Sequence, residues 1–170
     1  MPLSTNESGV AAEFFVAAEL AKRGFYVSPT LKNTKAIDIL IVDEALQNPL
    51  LIQVKASQSK KEWKLSEKAE TLVSPKLFYI FYLFDDGSGK SEFHIVPSKG
   101  VAEYVKNNHK KYLSAPKKNG EEHKDTSMRA FRDADNTYLD KWDLLTGKSA
   151  SFVHNPPAAD VVAKIKRIIP

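Results

Sequence analysis

The chain has 170 residues, 42% of them hydrophobic and 27% charged, with a net charge of +4. This composition is typical of a globular protein, and the length predicts a single domain over residues 1–170. The chain has no cysteine, which excludes disulfides, zinc–thiolate sites and cysteine nucleophiles, while the mild basicity permits an anionic partner.

Neither a signal peptide nor a membrane segment is predicted. The N-terminal sequence MPLSTNE has no basic stretch followed by an apolar core. The apolar runs all fall short of the roughly 18 residues that a membrane-spanning helix needs. We therefore expect a cytoplasmic protein without a membrane partner.

The first predicted element is a helix over residues 7–23. Asn6 or Thr5 is expected to cap its start, and Gly24 stands where a glycine commonly ends a helix. Its apolar residues recur at helical spacing: Val10, Phe14, Ala17, Ala18 and Ala21.

Three short strands are predicted next, over residues 25–29, 37–42 and 50–56. Asn33 and Thr34 indicate a turn, and the three strands together are expected to form a meander. Residues 57–74 are polar and rich in lysine, and one short helix is predicted around residues 66–72.

The strongest strand signal lies at residues 77–84, which are apolar on both faces and are therefore expected to form a central strand. A strand at 92–96, a helix at 99–113 and a long loop at 114–126 are predicted to follow. Trp142 is expected in the core, and residues 158–169 read as a closing helix. The order indicates an α/β fold in which helices flank a central mixed sheet.

Polar residues interrupt two of the apolar strands in a way that indicates a site. Side chains alternate between the faces of a strand, so Gln53 and Lys55 share one face of residues 50–56 (LLIQVKA). Burying such a pair without partners is costly, and Asp38 on the preceding strand is a plausible partner. An acid, an amide and an amine on neighbouring strands are typical of a site for a metal ion and a phosphate.

The residues Glu13, Asp38, Gln53 and Lys55, in this order on a helix and two strands, resemble the PD-(D/E)XK nuclease superfamily. More narrowly, the Gln-x-Lys pattern resembles the Mrr-like branch, in which Gln replaces the second acid. Ile37 stands where the family usually has proline. The resemblance covers about residues 7–113, with residues 127–170 as a C-terminal extension, and it implies the restriction endonuclease-like fold.

The resemblance implies a Mg²⁺- or Mn²⁺-dependent DNA endonuclease of restriction, defence or repair. Asp38, Gln53 and the backbone carbonyl of Val54 are the implied metal ligands, and Glu13 would bind the metal through a water, position Lys55 or hold a second metal. Lys55 would orient the attacking water and offset phosphate charge. Because Gln53 is neutral, the alternative is an inactive nucleic-acid-binding or interaction module with the same fold. Many proteins of this superfamily are dimers, so a homodimer is also expected.

A nucleic-acid surface is predicted just after the Lys55 strand. Lys60, Lys61 and Lys64, with Lys68 nearby, can line a groove for phosphates, and Trp63 among them can stack on a base. The competing interpretation is a charged surface helix with a buried tryptophan. His94 is expected to be an ordinary strand residue, and His109 either contacts phosphate or lies on a solvated face.

Overall fold

A computed structural model describes residues 3–30, 37–85 and 89–146. The helices and strands of this part of the chain are α1 (Thr5–Lys22), β1 (Tyr26–Pro29), β2 (Ile39–Val42), β3 (Leu50–Ser57), β4 (Glu62–Ser66), β5 (Leu77–Leu83), β6 (Glu92–Pro97), α2 (Ser98–Ser114) and β7 (Met128–Arg132). Two short 3-10 turns lie at Glu67–Glu70 and Trp142–Leu145 in the described residues. The predicted turn at Asn33 and the predicted helix at 158–169 lie outside the described residues.

The main sheet is mixed and has the strand order β1-β2-β3-β5-β6 in the described part of the chain. Strands β1, β2 and β3 are antiparallel neighbours, which confirms the predicted meander. Strand β5 then runs parallel to β3, and β6 is antiparallel to β5. The connection from β3 to β5 contains β4, which pairs with β7 in a separate two-stranded sheet.

Each face of the main sheet is covered by a different layer. Helix α1 packs on one face through Ala12, Val16 and Leu20, against Ile52 and Val54 of β3. Helix α2 and the β4–β7 pair cover the opposite face of the sheet. Every second side chain of β5 packs in the core on that face. Strand β5 is buried along its whole length, which confirms its prediction as an interior strand.

Helix α1 begins earlier than predicted and buries a different face. Ser4, not Asn6 or Thr5, is the N-cap, and it forms a capping box with Glu7. Phe14, which was assigned to the apolar face, is 67% exposed. The helix is apolar on most of its circumference, so spacing alone could not identify the buried side. Gly24 ends the helix with φ +84°, as predicted.

The prediction for the segment after β3, a polar stretch with one short helix, missed a strand. The segment contains strand β4, in which Trp63 and Leu65 are buried while Lys64 and Ser66 are exposed. The short helix predicted around residues 66–72 is present as one 3-10 helical turn, Glu67–Glu70. Trp142 is buried with the α1-face core, as expected. No helix in the described ranges is long and apolar enough to cross a membrane.

Candidate active site

Asp38 lies in a bend directly before β2 and is tied to the neighbouring strand β3. Its backbone N–H donates to the carbonyl of Ile52 at 2.9 Å. Its carboxylate Oδ2 accepts a hydrogen bond of 2.7 Å from the backbone N–H of Val54. The carboxylate therefore takes the place of a β2 carbonyl in the strand ladder, in line with the end of β2.

Gln53 and Lys55 flank Val54 and project from the face of β3 opposite α1. Ile52 and Val54 lie in the core under α1, whereas Leu51 packs against the core of the opposite face. The alternation of strand side chains puts Gln53 and Lys55 on this second face. Both are half-buried and line a cavity of about 860 Å³. Neither side chain has a hydrogen-bond or ion-pair partner in the described part of the chain.

Tyr79 lines the same cavity from the next strand, because it pairs with Gln53 in the parallel register of β3 and β5. The side chain is almost completely buried. Burial raises the pKa of the phenol to about 12, since the charged phenolate is poorly solvated there. The phenol of Tyr79 therefore stays neutral at alkaline pH values at which an exposed tyrosine would begin to ionise.

Glu13 lies on α1 and lines a second, smaller cavity of about 280 Å³. Asp38 lines this cavity too, together with Thr30 and the first turns of α1. The helix thus brings the Glu13 side chain to the sheet edge where Asp38 is held. Thr30 in turn contacts this edge, since its hydroxyl donates to the Ile37 carbonyl at 2.6 Å.

The four predicted site residues form two pairs around one contact. Glu13 and Asp38 share the smaller cavity, while Gln53 and Lys55 share the larger one. The Asp38–Val54 hydrogen bond connects the two pairs. The antiparallel register of β2 and β3 ends at Ile39 and Ile52, directly before Asp38 on one strand and Gln53 on the other.

The donors of this region are hard oxygen atoms, the type that Mg²⁺ prefers. One carboxylate oxygen of Asp38 is used by Val54, which leaves its other lone pairs for further partners. The set contains two carboxylates, and no group of three or more His, Cys, Asp or Glu that could hold a metal occurs among the described residues. Such a set fits a cation that keeps several of its waters, and it implies modest affinity.

The structure divides the predicted nucleic-acid surface. Lys64 and Lys68 line the larger cavity, whereas Lys60 and Lys61 are not among its described lining residues. Lys60 pairs with Glu62 at 3.5 Å, and Lys61 pairs with Glu92 at 3.0 Å.

The prediction that Trp63 stacks on a base is wrong. Its ring is completely buried, and its indole N–H donates to the Tyr82 carbonyl at 2.9 Å. The competing interpretation was right about burial, but Trp63 lies on a strand instead of a helix.

A buried histidine cluster was not predicted. His94 is a β6 residue, as expected, but its Nδ1 lies 2.7 Å from Asp133 Oδ2 and its Nε2 lies 3.1 Å from Glu92 Oε2. Each ring nitrogen of His94 thus lies within hydrogen-bond distance of a carboxylate oxygen. No spacing signal could reveal this, since Asp133 is 39 residues away. His109 bonds to Asp125 at 2.7 Å.

No protein-family model matches the sequence, and no curated protein matches it. Solved structures that are similar in three dimensions include a resolvase and a homing endonuclease. Hjc, a Holliday junction resolvase from Archaeoglobus fulgidus, has a TM-score of 0.50 and 15% identity, covering 84% of this chain and 98% of its own. The bacterial homing endonuclease I-Ssp6803I has a TM-score of 0.50 and 16% identity, covering 85% of this chain and 92% of its own. The protein has a restriction endonuclease-like α/β fold.

Proposed function

We propose that this protein is a metal-dependent endonuclease that hydrolyses phosphodiester bonds in DNA. The observation that carries the proposal is the Asp38–Val54 hydrogen bond. It holds a carboxylate beside the strand segment that carries Gln53 and Lys55, on a fold shared with a resolvase and a homing endonuclease.

The residues that would hold Mg²⁺ or Mn²⁺ are Asp38, Gln53 through its amide oxygen, the carbonyl of Val54 and Glu13. The Val54 carbonyl qualifies because the N–H and C=O of one strand residue point to the same edge, here the edge of Asp38. The bound cation would supply charge stabilisation at the phosphate and a more acidic water.

The side chains would perform the remaining work. Lys55 has an ammonium group without a described partner, so it is available to offset phosphate charge and to orient the attacking water. Gln53 lies beside Lys55, and its amide can both donate and accept hydrogen bonds. It would fix the orientation of the Lys55 ammonium group and of the attacking water. Tyr79, which lines the same cavity, would remain a neutral phenol even at alkaline pH, since burial raises its pKa to about 12.

The second candidate is a non-catalytic module that binds nucleic acid on the same fold. It is favoured by the neutral Gln53 and by the division of the four residues between two cavities. The assignment to a Mrr-like branch and the homodimer remain predictions under either function.

A plasmid-nicking assay separates the two functions. Supercoiled plasmid, a branched duplex and single-stranded DNA would each be incubated with Mn²⁺ or Mg²⁺ and with a chelator. The endonuclease predicts cation-dependent cleavage of at least one substrate. Binding without cleavage of any of the three substrates would select the module.

A further inference from the structure

The charged side chains that line the larger cavity are all cationic. Three lysines line it, together with the hydroxyl residues Ser66, Thr71 and Ser127, and no Asp or Glu is among its described lining residues. Tyr79 remains a neutral phenol there. A cavity that offers cations and hydroxyl donors without a carboxylate favours an anionic occupant.

Two of the three lysines have no role in the fold. Lys64 and Lys68 are exposed and form no hydrogen bond or ion pair through their side chains with any described residue. Their neighbours Lys60 and Lys61 behave differently, because each is paired with a carboxylate outside the cavity. The cations that remain unneutralised in this stretch are therefore those beside Lys55.

The rim of the cavity is held in place by a buried arginine. Arg129 on β7 pairs with Glu70 in the 3-10 turn and donates to the carbonyls of Thr126 and Met128. These contacts join the turn that carries Lys68 to the segment that carries Ser127. The two sides of the rim are thus held together, which fixes the backbone that carries Lys68 relative to the segment that carries Ser127.

We propose that Lys64 and Lys68 bind backbone phosphates of the DNA strand on one side of the phosphate held at Lys55. This inference rests on the proposed function for its ligand. The cavity volume of about 860 Å³ exceeds the size of one phosphate group, so it accommodates a run of backbone. Contacts of this kind position the strand and carry no sequence information.

The proposal predicts a specific salt dependence. Each lysine that neutralises a phosphate releases counterions, so its removal lowers the steepness of the affinity against salt. We expect Lys64→Gln and Lys68→Gln each to weaken binding several-fold and to reduce the log–log salt slope by about 1. Both side chains are exposed, so the substitutions should leave the melting temperature unchanged.

The test is fluorescence anisotropy of a labelled duplex, titrated in a chelator at several NaCl concentrations so that binding is measured without cleavage. Lys60→Gln is the matched control, because Lys60 carries the same charge four residues before Lys64 but is paired with Glu62. Lys99→Gln on α2 is a second control, since Lys99 is exposed and paired loosely with Glu103 at 3.9 Å.

The expected result is weaker binding and a shallower slope in Lys64→Gln and Lys68→Gln, with both controls matching wild type. Equal weakening in all four variants, no change in the two cavity variants, or no binding by wild type would each overturn the inference. The outcome is separable from the proposed function. Cavity-dependent binding without any nicking removes only the hydrolysis, and nicking with unaffected binding removes only the phosphate contacts.

Discussion

The carboxylate of Asp38 accepts the backbone N–H of Val54 at 2.7 Å, so a side chain occupies a position in the β2–β3 ladder that a backbone carbonyl would normally fill. The contact has two consequences. It satisfies a backbone donor that would otherwise lie unpaired at the end of β2. It also fixes the carboxylate between the residues on either side of Val54, which are Gln53 and Lys55.

The first prediction separates these structural and chemical roles. Asp38→Ala leaves the Val54 N–H without its acceptor, and we expect it to lower the free energy of unfolding by about 1–3 kcal/mol. Asp38→Asn keeps an oxygen that can accept the same hydrogen bond, so it should be clearly less destabilising. Urea unfolding of both variants gives the comparison. Equal loss in Asp38→Asn and Asp38→Ala would show that the charge, and not the hydrogen bond, holds the strand end.

The second prediction concerns alkaline pH. Burial raises the pKa of Tyr79 from 10.0 to about 12, so the folded state holds the phenol proton more tightly than the unfolded state. The contribution of the Tyr79 phenol to the free energy of unfolding is complete below pH 10. It is lost as the pH rises from there through about 12, and the loss is on the order of 2 kcal/mol. Denaturant unfolding of wild type and Tyr79→Phe at pH 9 and pH 11 measures it. The stability difference between the two proteins should move toward the variant at pH 11, and a difference independent of pH would contradict the burial argument.

The third prediction compares two residues of α1. Leu20 is completely buried, so Leu20→Ala should cost about 2–5 kcal/mol of unfolding free energy. Phe14 is 67% exposed, so Phe14→Ala should stay within about 0.5 kcal/mol of wild type. Thermal or urea melts measure both. A larger loss in Phe14→Ala than in Leu20→Ala would mean that the opposite face of the helix is the packed one.

These residues also show what the sequence can predict. The predicted bounds of strands β3 and β5 agree with the observed strands to within one residue. This agreement arises because a long apolar run in a domain of this size is compatible with few structures other than a buried strand. The order of Glu13, Asp38, Gln53 and Lys55 predicted a restriction endonuclease-like fold, and the fold is confirmed. Helix spacing failed at Phe14, because α1 is apolar on nearly every side.

Other features were beyond the sequence because they depend on distant contacts. Strand β4 is short, and its half-buried and exposed positions are glutamate, lysine and serine, so its alternating pattern could not be recognised within a polar stretch without knowledge of its pairing with β7. The pairing of His94 with Asp133 depends on the same region. For the same reason, Lys60 and Lys64 could not be distinguished, although one is paired with a carboxylate and the other lines the cavity.

The fourth prediction concerns metal binding. Gln53→Glu adds a second strand carboxylate next to Asp38. A unit charge a few ångströms from a divalent cation contributes on the order of 1 kcal/mol or more, which corresponds to about tenfold in affinity. Calorimetric titration with Mn²⁺ should therefore show tighter binding by Gln53→Glu than by wild type. Gln53→Leu, of similar size but without the oxygen, is the control and should bind more weakly. Tighter binding by wild type than by Gln53→Glu would remove Gln53 from the site.

The central claim is that Asp38 and Lys55 perform phosphodiester hydrolysis together. Lys55→Ala and Asp38→Asn would be compared with wild type for Mn²⁺-supported nicking of supercoiled plasmid. Lys99→Ala serves as an exposed lysine control, and thermal melts serve as the folding control. If Lys55 acts on the transition state as proposed, its loss should reduce the rate at least about 100-fold.

The decisive quantity is the nicking rate of the two well-folded variants relative to wild type. We predict that wild type and Lys99→Ala nick at the same rate while Lys55→Ala and Asp38→Asn give no detectable product. Nicking by both variants at the wild-type rate would contradict the account and place the chemistry elsewhere in the chain.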